Sequence, residues 1–150
     1  MSVDQEISLS QYQSLAEFRY QLRRFLHFSE QAARSVGLEP QQHQLLLALK
    51  GLPQGRPATV GELAERLQIQ HHSTVELINR MVEKNFLERS RDESDQRKVI
   101  IHLTPYGEEI LRKLSLLHRT ELRSSGPELV HSLNSVINGE RPDPPGSEYV

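Results

Sequence analysis

At 150 residues the chain is long enough for one domain with a sound core, and the absence of cysteine excludes disulfides, thiol redox switching and thiolate metal sites. Charged residues (25%) and hydrophobic residues (36%) are in the usual range for globular proteins, and no apolar run approaches the length of a bilayer span. The formal charge of −2 argues against a uniformly basic surface, so any phosphate contact must come from locally placed side chains. Residues 1–9 are acidic and polar, unlike a signal peptide or a membrane anchor, and cytoplasmic residence is the default expectation.

Residues 1–10 lack periodicity and read as a flexible arm. Over 11–36, Leu15, Phe18, Leu22, Phe25, Leu26, Ser29, Ala32, Ala33 and Val36 keep a helical period. Such a helix is about 39 Å long at about 1.5 Å per residue, more than a small domain covers, so part of it is expected to pack on a second subunit. Gly37 stops it. Leu38-Glu39-Pro40 is a connector whose proline opens the next helix, 41–51, apolar nearly all round through Leu45, Leu46, Leu47, Ala48 and Leu49. Pro53-Gln54-Gly55-Arg56-Pro57 is a loop. Ala58-Thr59-Val60 offers a short third strand ahead of the capping box Thr59-x-x-Glu62.

The chain is organised around residues 59–103. A helix over 60–67 turns Leu63, Ala64 and Leu67 to a core, and Gln68-Ile69-Gln70 forms a tight turn. A second helix over about 72–84 carries Thr74, Leu77, Ile78, Met81 and Val82 inward. Asn85, tolerant of the left-handed conformation, ends it. Residues 86–90 and 98–103 suit paired strands, joined by the polar loop Arg91-Asp92-Glu93-Ser94-Asp95-Gln96-Arg97. Helix, turn, helix and charged hairpin make the pattern of a winged helix-turn-helix. In that pattern the second helix fits a major groove and the hairpin tip reaches the adjacent backbone or minor groove.

After the hairpin, Thr104 as N-cap and Pro105 at the first position restart a helix expected to run to about Ser124. Gly126-Pro127 is expected to break it, leaving a last short helix over 128–138. The tail 139–150, with three prolines and two glycines, is expected to be disordered.

LAERLQI, STVELINRMVEKNFLERSRD, the D-x-R of Asp95-Gln96-Arg97, and HLTPYGEEIL follow one another at spacings that resemble the MarR family of bacterial transcription regulators, over about 22–114. The sequence departs from the family pattern in having Asn85 for a glycine and Gln96 where a further arginine is common. It also has a last helix that reads short for the family. The resemblance implies a mostly α fold: a winged helix-turn-helix DNA-binding lobe over about 40–103, made of three helices plus a β-hairpin wing. Terminal helices, about 11–36 and 105–138, would form a dimerisation lobe. It further implies a homodimer on double-stranded DNA at a pseudopalindromic operator, a repressor in the first instance, with a possible small-molecule effector and no membrane partner.

The candidate DNA-contacting residues follow from the helix face and the wing. Rotating away from Leu77, Ile78 and Met81 brings His72, Ser73, Glu76, Asn79 and Arg80 outward. His71, His72 and Ser73 stand at the N-terminal end, where the helix dipole favours a phosphate. Val75 suits a thymine methyl, Arg80 a phosphate or guanine, and acceptor-only Glu76 a cytosine. In the wing, Arg97 is suited to a narrow minor groove, with Asp95 holding its guanidinium; an ordinary surface ion pair is the plainer account. Arg89 and Arg91 are expected to add backbone contacts. By itself the helix face reads equally well as solvated surface. Charge is unhelpful here, since residues 60–103 hold 7 Lys+Arg against 8 Asp+Glu.

Phe18, Tyr20, Phe25, Phe28, His43 and Leu46 are candidate linings of an effector pocket, with dimer core as the plainer reading. The seven histidines are scattered without a metal-ligand spacing, so no metal and no cofactor is expected. No phosphate loop, nucleophile motif or paired-carboxylate spacing supports an enzyme. Two rivals stay open: a winged-helix protein-interaction module without DNA, and a zinc-responsive regulator.

Overall fold

A computed structural model describes residues 6–139, in the order α1 (Leu9–Ser35), α2 (Pro40–Lys50), α3 (Val60–Leu67), α4 (His71–Glu83), β1 (Leu87–Arg91), β2 (Val99–Leu103) and α5 (Pro105–Asn138). The expected arm 1–10 lies outside the described residues for its first five positions, as does the tail from residue 140. The start of α1 has a signal the sequence reading passed over. Ser8 Oγ accepts from Gln11 N–H (3.1 Å) and Gln11 Oε1 accepts from Ser8 N–H (2.8 Å), a reciprocal Ser-x-x-Gln cap.

The described residues divide into two compact units within α1 and α5: residues 29–118, and residues 6–28 with 119–139. The 29–118 unit holds every buried apolar side chain of the described residues. Leu45 and Leu46 of α2, Leu63 of α3, Ile78 and Met81 of α4, Leu87, Ile101 and Leu114 are essentially closed to water. β1 and β2 pair antiparallel with Leu87 opposite Leu103, Arg89 opposite Ile101 and Arg91 opposite Val99. The third strand is not formed. Ala58 contributes a single bond, its carbonyl accepting from Ile101 N–H at 2.9 Å, and the sheet stays two-stranded.

Three helices of this unit end by one device. Gly37, Gln68 and Asn85 adopt φ of 82°, 54° and 65°. In each case the next residue's N–H returns five positions: Leu38 to Ala33, Ile69 to Ala64 and Phe86 to Met81, at 3.0, 3.2 and 2.9 Å. An apolar residue follows the left-handed one each time, so the chain re-enters the core as it leaves the helix. The link from hairpin to α5 is equally specific. Buried Thr104 donates its hydroxyl to Asn85 O (2.6 Å), while its Oγ accepts from Gly107 N–H (3.0 Å). A Cβ on Gly107 would stand 2.2 Å from Phe86 O, so this approach is open only to glycine.

The other unit consists of the first part of α1 and the last part of α5. Its buried residues among those described are Gln21 and Ser132, both polar. Gln21 Nε2 donates to Glu17 Oε1 (3.0 Å) and Glu128 Oε2 (3.4 Å). Leu9, Tyr12, Leu15, Val130 and Ile137 are exposed. The expected break at Gly126-Pro127 does not occur, for α5 runs through Pro127 to Asn138. Proline deletes one helical bond and crowds the residue before it, and that residue is here a glycine with no Cβ to be crowded. The last helix is therefore the end of a 34-residue one rather than a short separate element.

Candidate nucleic-acid interface

α4 is fixed along one face and open along the other. Thr74, Leu77, Ile78 and Met81 are buried, and Thr74 Oγ donates to Gln70 O at 3.0 Å. His71, His72, Glu76, Asn79 and Arg80 are exposed, while Ser73 and Val75 at the flanks are half-buried. At about 100° per residue, His72, Glu76 and Asn79 fall within one narrow stripe opposite the buried face. The N-cap Gln70 makes no side-chain cap, so the first-turn N–H groups keep their electropositive end toward solvent.

The wing is arranged by its two aspartates. Asp92 Oδ1 accepts from the Ser94 N–H and hydroxyl, both at 3.2 Å. Asp95 Oδ1 accepts from Arg97 N–H (3.1 Å) and Arg97 Nε (3.3 Å). Asp92 N–H to Lys98 O and Lys98 N–H to Asp95 O, both 2.9 Å, close the loop beneath them. The Arg97 side chain is 93% exposed, a cation held at its root and free at its reach. On the strand, Arg91 Nη1 donates to Gln96 O at 3.2 Å. Arg89 does not extend along the wing. Its guanidinium turns back to α4 and donates to Asn79 Oδ1, tying the hairpin to the exposed helix face. On the opposite face of the hairpin, Ser90 Oγ and His102 Nε2 stand 2.6 Å apart. Neither contact was accessible to sequence reading, because both depend on where the strand lies.

The candidate effector-pocket residues are divided between the two units. In the terminal unit Phe18 and Phe28 are half-buried, and Tyr20 is exposed with Arg24 over its ring at 5.8 Å. Phe25 lines a cavity of about 170 Å³ with Gln21, Arg24, His27, Glu121 and Leu129. In the 29–118 unit Leu46 and His43 belong to the core. The His43 ring lies 4.9 Å from His118, whose Nδ1 donates to Leu114 O and whose Nε2 meets Ser29 Oγ, both at 2.7 Å. Burial, and secondarily the neighbouring His118, hold the His43 pKa down to about 4. A larger cleft, about 510 Å³, lies between α2 and the start of α5 against Leu47, Lys50, Glu108, Leu111 and Arg112. Sequence reading missed it, since its apolar floor is an exposed leucine in a helix taken as buried all round. Among the described residues no group of three or more His, Cys, Asp or Glu side chains is gathered to hold a metal.

Comparison with known proteins finds likenesses to the winged segment and to the fold. Residues 36–98 match the model of the MarR family. A 65-residue stretch is 37% identical to YsmB of Bacillus subtilis (strain 168), an uncharacterized HTH-type transcriptional regulator. It covers 43% of this chain and 44% of that relative, so the match spans under half of that protein. Among solved structures, AbsC of Streptomyces coelicolor, a MarR family transcriptional regulator, superposes with a TM-score of 0.71 at 22% identity over 89% of this chain and 93% of that one. A mutant of S. aureus MepR bound to an oligodeoxyribonucleotide superposes at 0.63 and 18% identity, over 89% and 98%. At these identities the two likenesses establish the fold, a mostly helical winged helix, and the relatives are regulators rather than enzymes. Among the described residues no helix is long and apolar enough to cross a membrane.

Proposed function

We propose that this chain is a member of the MarR family, whose model its residues 36–98 match, and that it acts as a homodimeric, sequence-specific DNA-binding transcription regulator, a repressor of the operator it occupies. The observation that carries the reading is the two-sided character of α4. Its inner face is locked into the core, its outer stripe of His72, Glu76 and Asn79 is bare, and a hairpin with a projecting Arg97 stands beside it. The stripe would lie in the major groove with His71, His72 and Ser73 toward the backbone. Val75 and Glu76 would meet base edges, and Arg80 a phosphate or a guanine. Arg91 and the Asp95-supported Arg97 would engage the backbone and the minor groove. The structure of the MepR mutant with an oligodeoxyribonucleotide supports DNA as the ligand of this fold.

Dimerisation is supported by the terminal unit, which buries no apolar side chain among the described residues while exposing Leu9, Tyr12, Leu15, Val130 and Ile137. Apolar faces of that extent are normally covered by a partner. Two copies related by a twofold axis would present two α4 helices to a pseudopalindromic site. Relief by a small molecule belongs to the same proposal. The cleft beside Leu47, at about 510 Å³, falls in the size range of small-molecule sites, and the 170 Å³ cavity at Phe25 lies below it.

The test is selection of bound fragments from the source genome, then titration of the enriched duplex at two salt concentrations. A discrete site with affinity falling steeply as salt rises is the expected result. Failure of a folded dimer to enrich any sequence would refute the proposal and favour a protein-interaction module.

A further inference from the structure

The exit of α4 and the start of α5 share one side chain. Asn85 leaves α4 in the left-handed conformation, with Phe86 N–H returning to Met81 O at 2.9 Å. The hydroxyl of buried Thr104 donates to Asn85 O at 2.6 Å and stands 3.1 Å from Phe86 O, while its oxygen accepts from Gly107 N–H at 3.0 Å. Capping α5 requires only the acceptor, which an aspartate or asparagine also offers. The donor is what ties the cap to the end of α4. Gly107 closes the joint, because a Cβ there would collide with Phe86 O, and the Phe86 and Tyr106 rings stack at 4.9 Å. Further along α5, Ile110, Leu111 and Leu114 are apolar packing, and Lys50 pairs with Glu108 at the surface. Apolar contacts are non-directional and an exposed ion pair holds little, so these do not fix an angle as directed bonds do. The directed bond of His118 goes to Ser29 of α1 rather than to α4.

Resting on the reading of α4 as the DNA-contacting helix of a homodimer, we propose that Thr104 is a positioning residue that sets the direction in which α4 is held from α5, and so selects the half-site spacing the dimer accepts. Gly107 acts with it. α5 continues from the 29–118 unit into the terminal unit, to which dimerisation is ascribed. The lever is long. His72 precedes Asn85 by thirteen residues, about 20 Å at about 1.5 Å per residue, so a turn of about 10° at the joint carries it about 3.4 Å, one base-pair step. One base pair added between half-sites shifts the second by that distance and by about 35° around the duplex. The angle held by the joint is therefore read out as spacer preference.

The experiment takes the duplex that the full-length protein enriches from a random pool and compares it with duplexes carrying one base pair more or fewer between the half-sites. The wild type is expected to bind the altered spacers more weakly by about tenfold or more. Thr104→Val keeps the shape but loses donor and acceptor, and should cut that discrimination to within about threefold; Thr104→Ser keeps the hydroxyl and should restore it. Each readout is a ratio of affinities from one preparation, so a reduced folded fraction cancels. Gly107→Ala carries the same test should Thr104→Val not fold: it must displace Phe86 O and so should change the preferred spacer, and an unchanged preference overturns the inference. A wild type indifferent to the spacer overturns it however the variants behave. So does a Thr104→Val variant that keeps the wild-type ratio while binding every duplex more weakly; Thr104 is then a cap alone, and DNA reading stands. If the folded wild-type dimer enriches no duplex, the functional reading fails and the inference with it.

Discussion

The two units of this molecule are built from the same material and finished to different degrees. Residues 29–118 close a core around Leu45, Leu63, Ile78, Met81 and Ile101, with caps and a hairpin that satisfy their own backbone. The terminal unit, of comparable helical regularity, leaves Leu9 73% and Ile137 68% exposed and, among the described residues, buries only Gln21 and Ser132. A helix of good period and length thus needs a second surface before its apolar face is worth anything, because isolated helical stability comes mainly from packing. One unit finds that surface within the chain, and the other is proposed to find it in a second copy.

The sharpest way to break this comparison is to place the same charge in each unit. Leu45→Arg, at a site with no exposure, should cost more than ~4 kcal/mol and abolish a cooperative melt, since it buries an unpaired cation. Val130→Arg with Ile137→Arg should leave the helical signal of residues 29–118 and instead turn a dimer into a monomer in sedimentation. A monomeric wild type, or a double variant that stays dimeric, would show that the exposed face has another purpose. Next in size is Gly107→Ala. The added Cβ meets Phe86 O at 2.2 Å, so the hairpin or the start of α5 must move, at a cost of roughly 2–3 kcal/mol. Gly61→Ala, where nothing lies within 4 Å of the added carbon, should stabilise by about 0.5–1 kcal/mol; urea titration of both glycine variants checks the two signs.

The same contrast separates what was legible in the sequence from what was not. Elements whose partner is local were read correctly: the inner faces of α3 and α4, the left-handed Asn85, and Pro105 opening α5. Each depends on periodicity or cap chemistry within a few residues. The misreadings share a different origin. Gly126-Pro127 is a local stop signal, yet α5 continues through it to Asn138. Gln68 in the left-handed conformation has no signal, because a bond pattern set by Ala64 and Ile69 imposes it. For the candidate interface, exposure along α4 was readable from period alone. That Arg89 grips Asn79 required the strand register, which no spacing of ten residues encodes.

Protonation supplies a smaller probe confined to the 29–118 unit. His43 is 2% exposed and its pKa is held to about 4, against an ordinary 6.5. Above pH 6.5 the imidazole is neutral in both folded and unfolded chains and contributes nothing. As pH falls from 6.5 toward 4, the unfolded chain takes up a proton that the folded one refuses, so stability falls by up to about 1.4 kcal/mol per pH unit, roughly 3 kcal/mol across the window. Urea titrations at pH 7, 6 and 5 should show this slope in the wild type and a flatter one in His43→Gln. Parallel slopes would mean that the His43 site admits water or a proton in the folded state.

The smallest effect on stability, and the most direct on the interface, is expected at Arg97. Its side chain is 93% exposed and pairs with Asp95, so Arg97→Ala forfeits an exposed pair that contributes at most about 1 kcal/mol, and the melt should move little. Its absence should nevertheless weaken binding to all duplexes and lower the dependence of log affinity on log salt by roughly one per contact removed. Asp95→Ala separates support from contact. It removes the acceptor that holds both the Arg97 N–H and Nε, leaving the cation present but unplaced. Affinity should then fall less than in Arg97→Ala while the salt slope stays near the wild type. If Arg97→Ala binds as tightly as the wild type at both salt concentrations, the wing is a spectator and the interface reduces to α4 with Arg89.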